Sequence, residues 1–219
     1  MFDSLPDDIK DFFKDKETPI GKFDSSTIDY ASLNRKSQTP YVELTKLNFN
    51  AESAFGEYEK SKIEFFKHPR GDQNKGWYGH TLFGWGENNT LHYLENKDLK
   101  REPTWSESIG FFPYIKRFVE SLPYDSLFDV RLLLIQSGGY IAPHKDFNSM
   151  RLDPLNIAIR YPDDCFFKIE NFGYIPYQSG KGFVVNIGYK HSVVNLSNQD
   201  RLHLVIHGKK SKDFYQVLA

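Results

Sequence analysis

Apolar positions follow two different rhythms along this chain. Before residue 129, where they recur in a readable pattern, the spacing is mostly helical. Ile9, Phe12 and Phe13, behind Ser4 and Pro6, predict a short amphipathic helix. Ile115, Phe118, Val119 and Leu122 form one helical face that begins after Pro113 and stops at Pro123. Thr104-Trp105-Ser106-Glu107 has the form of a capping box ahead of that segment. Residues 41–47 alternate like a strand, residues 17–40 read as a polar loop or arm, and 67–89 mixes Gly, His and Trp without a readable period. From Asp129 the texture changes to short alternating runs at 130–136, 155–160, 165–169, 183–187, 192–196 and 202–207, separated by Gly, Asn, Asp and Pro. Short strands at this spacing predict a sandwich or barrel.

The alternation also sorts side chains by face. Over 155–160, Leu155, Ile157 and Ile159 share one side while Asn156, Ala158 and Arg160 share the other. Over 201–207, Leu202, Leu204 and Ile206 oppose Arg201, His203, Val205 and His207. An isolated sheet would turn the polar face to water. A barrel packed on helices would turn the apolar face to the helices and line a cavity with the polar one.

The 219 residues fit one domain, with 1–128 as a helical and irregular part supporting core barrel strands over 129–210. Lys and Arg number 28 against 29 Asp and Glu, so no broad positive field exists to attract nucleic acid. The single Cys165 excludes an intramolecular disulfide and any thiolate cluster. An acidic start without an apolar stretch, and no run long enough to cross a bilayer, lead to the expectation of a cytoplasmic protein without a membrane partner. The sequence is silent on oligomeric state.

Candidate chemistry enters at Ile141-Ala142-Pro143-His144-Lys145-Asp146, where His144 and Asp146 fall on the same side of a strand end. His191 follows downstream just before a strand, and Arg201 opens the next one. Two histidines and a carboxylate suit a divalent first-row metal and leave positions open for other ligands. Arginine offers a planar, permanently charged fork for a carboxylate.

From residue 132 to 208 the chain resembles the aspartyl/asparaginyl β-hydroxylase group of 2-oxoglutarate oxygenases, which includes bacterial hydroxylases of free proline. The resemblance rests on Gly139-x-x-x-Pro143-His144, on Leu155-x-Ile157-x-Ile159-x-x-Pro162, and on Cys165 followed by Lys168-Ile169. It continues through Gly180-Lys181-Gly182-Phe183-Val184-Val185 to His191 and Arg201, with a weaker echo at Gly76-Trp77 and Leu82-Phe83-Gly84. It implies a mainly β, double-stranded β-helix (jelly-roll) fold flanked by N-terminal helices. It also implies iron(II) on His144, Asp146 and His191, with 2-oxoglutarate and dioxygen as co-substrates and Arg201 on the distal carboxylate of 2-oxoglutarate. Hydroxylation of an amino acid, an amino-acid residue or a related small molecule would then release succinate and carbon dioxide. The animal protein hydroxylases of the group lack the carboxylate ligand that Asp146 supplies here. They carry Arg-x-His where this chain has Pro154-Leu155-Asn156, so Asn156 is a candidate co-substrate contact.

The remaining residues are weighed singly. His203 shares a face with Arg201 and is a candidate cofactor contact or a structural histidine. Asn195 is a candidate to support His191, Gln136 could reach the ligand, and Arg160 is either a substrate anchor or a rim ion pair. His68, His80 and His92 lack ligand-like spacing and are set aside; the tryptophans read as core. A non-catalytic jelly-roll binding metal or a small ligand is the alternative. A nucleic-acid demethylase fits less well, because its second arginine is replaced here by His207.

Overall fold

The computed structural model describes residues 2–14, 23–68, 73–85 and 102–219. Helix α1 (Asp7–Phe13) leads to strand β1 (Tyr41–Glu43), helix α2 (Ala51–Lys60), then β2 (Phe66–Lys67), β3 (Lys75–Gly84) and β4 (Thr104–Trp105). Helix α3 (Pro113–Ser121) precedes β5 (Tyr124–His144), β6 (Leu152–Arg160), β7 (Cys165–Ile169), β8 (Gly173–Tyr174), β9 (Gly182–Asn186), β10 (His191–Asn195) and β11 (Arg201–Lys210). Helix α4 (Phe214–Leu218) closes the chain. All six strands expected after Asp129 are present, and 41–47 yields the shorter β1.

The sheet order is β1-β9-β6-β11-β5-β10-β7-β8, with β3 pairing the other edge of β5. All pairings are antiparallel. The 21-residue β5 belongs to both layers: its first part pairs β11 and its last part pairs β10. The bend falls at Gly138-Gly139. Gly138 has φ 68°, and a Cβ on Gly139 would meet Gln136 O and Lys75 O at 2.8 Å each, so only glycine lets β5 turn beside β3. The result is the curled two-layer jelly-roll.

Two apolar cores follow from the two faces of the larger layer. Leu155, Ile157, Ile159, Leu202, Leu204 and Ile206 pack outward with Ala54 of α2 and Ile115, Phe118 and Val119 of α3. Ala158, Phe183, Val185, Phe167 and Val193 pack between the layers. Helix α1 covers the outside of the smaller layer through Ile9 and Phe13 against Tyr174 and Val194. Both sides of β6 and β11 are therefore buried, as the cavity-lining interpretation requires.

Three local expectations are revised. Residues 1–128 are more than a helical and irregular support, because they contribute β1 to β4 and the start of β5. Their longest strand, β3, lies within the unreadable 67–89 segment; His80 interrupts the apolar pattern yet is buried, bonded to Glu64 O and Ser108 Oγ at 2.7 Å each. The capping box does not form: Thr104-Trp105 pairs with β3, and Ser106 Oγ bonds Leu82 O. Glu57 of α2 supplies the cap for α3 instead, accepting from the backbone N–H groups of Tyr114 (2.5 Å) and Ile115 (3.2 Å). Among the described residues, no helix is long and apolar enough to cross a membrane.

Candidate metal centre and active site

Where β5 ends and β10 begins, antiparallel pairing sets His144 directly opposite His191. Each imidazole is oriented by its own backbone. His144 Nδ1 lies 2.8 Å from Ala142 O, and His191 Nδ1 lies 2.9 Å from Tyr189 O. A carbonyl accepts and cannot donate, so each Nδ1 carries the proton and each Nε2 presents a lone pair. Both lone pairs face the Asp146 carboxylate, with His144 Nε2 3.5 Å from Oδ1 and His191 Nε2 3.8 Å from Oδ2. One ligand atom from each residue lies within 4.8 Å of the others. Two ligands about 2.1 Å from one ion, at right angles, sit about 3 Å apart. The donor set is therefore nearly closed to that size.

The loop after Asp146 is pinned to the turn before His191. Asp146 N donates to Ile187 O at 3.1 Å, and a Cβ on Gly188 would fall 2.3 Å from Ser149 O, a backbone approach that needs glycine. The fully buried Asn186 joins the parts: its Oδ1 accepts from Arg151 N (2.8 Å) and Gly188 N (3.2 Å), and its Nδ2 donates to Ser37 O and Thr39 O. Sequence reading took Asn186 as strand. Its one signal is an amide ending an apolar run just before a glycine turn.

A cavity of about 590 Å³ opens from this cluster between the layers. Its inner end holds Arg201, only 2% exposed, with Asn156 beside it. Arg201 Nη2 lies 3.0 Å from His203 Nδ1, and Asn156 Oδ1 lies 2.5 Å from the same nitrogen. Burial, then the neighbouring guanidinium, holds the His203 pKa well below its usual range, so the ring is neutral. As an acceptor, Nδ1 serves Arg201; protonated, it donates to Asn156. Tyr161 and Tyr177 flank this end, their hydroxyl pKa values raised chiefly by burial. Burial likewise pushes the Cys165 thiol up to about 11, leaving it protonated. Arg201 Nε, His203 Nε2 and Tyr177 Oη are buried without a hydrogen-bond partner. Each such atom costs on the order of 1–3 kcal/mol, so three around one guanidinium describe a site awaiting a polar ligand.

Between the two ends the walls are apolar, with Leu133, Ile141, Val193 and Val205, and the mouth carries Trp77, Trp85, Phe128 and Phe147. Asp129 sits 2.7 Å from Arg131, and Arg151 sits 2.9 Å from Asp153. Asp129, Arg131 and Asp153 lie on β5 and β6, while Trp85, Phe147 and Arg151 lie just outside the strands.

A family model described as aspartyl/asparaginyl beta-hydroxylase matches residues 46–210. This chain belongs to the aspartyl/asparaginyl β-hydroxylase family. It is a hydroxylase of the iron(II)- and 2-oxoglutarate-dependent class, with dioxygen as oxidant. A search of curated protein sequences gives no match. Among solved structures, the prolyl hydroxylase of Trichoplax adhaerens in complex with a hypoxia inducible factor oxygen degradation domain peptide fragment is similar in fold. The TM-score is 0.51 at 9% identity, over 83% of this chain and 89% of that one. An oxidoreductase of the 2OG-Fe(II) oxygenase family from Burkholderia pseudomallei aligns at TM-score 0.48 and 14% identity over 87% and 93% of the two chains. A Pseudomonas putida prolyl-4-hydroxylase aligns at 0.46 and 12% over 78% and 94%.

Within this family member, His144, Asp146, His191, Arg201, Asn156 and His203 all border one cavity or its inner wall. Four other candidates lie elsewhere or are reassigned. Asn195 bonds Ile135 O, Gln136 O and Gln199 O and so holds the β5 bend, away from His191. Gln136 is exposed at that bend. Arg160 lies over the Phe55 ring at 5.0 Å, on the helix side, because the β6–β11 register slips between Leu202 and His203. His68, set aside on spacing, lines the cavity stacked on Trp77. His92 falls outside the described residues.

Proposed function

We propose that this hydroxylase inserts oxygen into a C–H bond of a small-molecule or peptide substrate, with His144, Asp146 and His191 as its metal ligands and Arg201 as the anchor of 2-oxoglutarate. One observation carries the assignment: both imidazoles are fixed by backbone carbonyls in the tautomer that aims Nε2 at the Asp146 carboxylate. Two imidazoles and one carboxylate are the donors of facial-triad iron(II) oxygenases. Bound iron(II) supplies the site where dioxygen is activated while 2-oxoglutarate is converted to succinate and carbon dioxide.

The protein's own groups supply the rest. Arg201 is a buried cation with no carboxylate within ion-pair distance among the described residues, and a dicarboxylate reaching inward from the metal would neutralise it. With Nδ1 unprotonated and accepting from Arg201 Nη2, neutral His203 holds the guanidinium in place without adding charge. Tyr177 offers a further donor. Leu133, Ile141, Val193 and Val205 keep water from the reacting carbon. Asp146 fills a coordination position with carboxylate, which favours hydroxylation.

The test is anaerobic titration of iron(II)-loaded protein with 2-oxoglutarate, watching for its visible charge-transfer band, followed by succinate measurement in air with pooled amino acids and peptides. The expected result is a band that saturates with 2-oxoglutarate and succinate formation that needs iron. Absence of both would refute the assignment.

A further inference from the structure

A second cavity, of about 440 Å³, lies beside the mouth of the chamber, and the two share Phe128 and Asp153. Its other walls include Arg35, Lys209, Lys210 and Lys212, with Asp153 as its one acidic lining residue among those described. Strand alternation would send Lys209 and Lys210 to opposite faces. The β11–β5 ladder slips between His207 and Gly208 and again between Lys209 and Lys210, and both lysines line the same cavity. The Lys210 side chain is 13% exposed, and burial brings its pKa down to about 8 although Asp153 pulls the other way.

The charges do not cancel. Asp153 Oδ2 already meets Arg35 at 2.8 Å, Arg151 at 2.9 Å and His207 at 3.8 Å, while Oδ1 meets Lys210 at 3.9 Å. Lys209 has its own partner, Asp125, at 2.9 Å. Setting that pair aside leaves Arg35, Arg151, Lys210 and Lys212 around Asp153, more cations than one carboxylate cancels. Lys210 is the buried member of this group, while Arg35 is half exposed and Lys212 exposed, so an anion entering the cavity meets one buried and two solvated cations. A phosphate monoester carries roughly 1.5 to 2 negative charges at neutral pH and offers three acceptor oxygens, so several cations can share it.

We infer that the side cavity binds a phosphate-class dianion next to the reaction chamber. Its source is either free phosphate or a phosphorylated substrate whose carbon skeleton enters the chamber past Phe128, and the second source rests on the proposed function. The binding itself does not, so it is measured with iron and 2-oxoglutarate absent.

The experiment titrates inorganic phosphate into the full chain by calorimetry. Saturable single-site binding is expected, weakened at least about ten-fold in Arg35→Ala/Lys212→Ala and in the exposed charge reversal Lys212→Glu, and unchanged in Arg201→Met. No saturable binding, binding indifferent to both cavity variants, or loss in Arg201→Met equal to theirs would overturn the inference. A parallel titration uses an alkyl phosphate monoester. Tighter binding of the monoester, in competition with phosphate, assigns the site to a phosphorylated substrate, and equal or weaker binding assigns it to the free ion.

Discussion

At the mouth of the chamber Asp129 meets Arg131 and Asp153 meets Arg151, each pair closer than 3 Å; at the inner end Arg201 has only neutral neighbours, His203 and Asn156. The same strands, β5, β6 and β11, build both ends. At the mouth each of these carboxylates has an arginine partner, although Trp77 Nε1 and Arg131 Nε lack a hydrogen-bond partner there; at the inner end the Arg201 charge has no carboxylate partner among the described residues. Substituting a paired group at the mouth strands its partner and weakens the fold. Substituting Arg201 removes a charge that the folded chain alone does not compensate, so binding suffers and stability does not.

The largest effect is expected where three ligand atoms converge. His191→Ala should lower iron(II) affinity and succinate formation by more than the roughly 10- to 100-fold typical of losing an outer partner of a ligand. Iron retained after gel filtration and succinate yield check this, with circular dichroism confirming the fold. Near-normal turnover would remove His191 from the metal.

Next comes the inner end. Arg201→Met should raise the KM for 2-oxoglutarate at least about 30-fold, since truncating one partner of a buried charged contact costs roughly 2–5 kcal/mol. The ligand-free variant should melt no lower than the parent. A marked drop in Tm without a change in KM would reverse the comparison between the two ends.

At the mouth, Asp153→Asn should cost about 3 kcal/mol of stability at neutral pH, because Arg35, Arg151 and Lys210 lose their shared carboxylate. Burial pushes the Asp153 carboxyl up, but His207, Lys210 and Arg35 outweigh burial and hold it below 3.8. The native state then binds a proton less readily than the unfolded chain. The contribution is complete above pH 3.8 and disappears as pH falls through the native value. Denaturant midpoints measured from pH 6 downward should fall more steeply for the parent than for Asp153→Asn.

These expectations also mark what was legible beforehand. The strands after Asp129 were readable because period-2 alternation is local; His144 and Asp146 form a local His-x-Asp run, whereas His191 and Arg201 joined them as candidates only through order, spacing and the family resemblance. Strand β3 was not readable, since buried His80 breaks its pattern and is satisfied by Glu64 and Ser108 from elsewhere in the fold. The capping of α3 by Glu57 and the clamp at Asn186 were hidden for the same reason: each partner is distant in sequence. The charged mouth was hidden because inward polar residues on β5 and β6 have the same alternation as solvated ones.

The smallest effect tests the limit of that alternation. Simple parity puts Arg160 on the side of Asn156 and Ala158, facing the co-substrate. The ladder, however, pairs Leu202 with Arg160 and His203 with Ala158, so Ile159 is an extra residue and the parity reverses after it. Arg160 then stacks on Phe55, a contact worth about 0.5–1 kcal/mol at an exposed site. Arg160→Ala should leave the KM for 2-oxoglutarate within about two-fold and lower stability by no more than that contact. Asn156→Ala, four residues earlier and facing inward, should raise the same KM about ten-fold by removing a polar group that lines the chamber beside Arg201. Equal KM effects from the two variants would place Arg160 inside the chamber and require β6 to run without its extra residue.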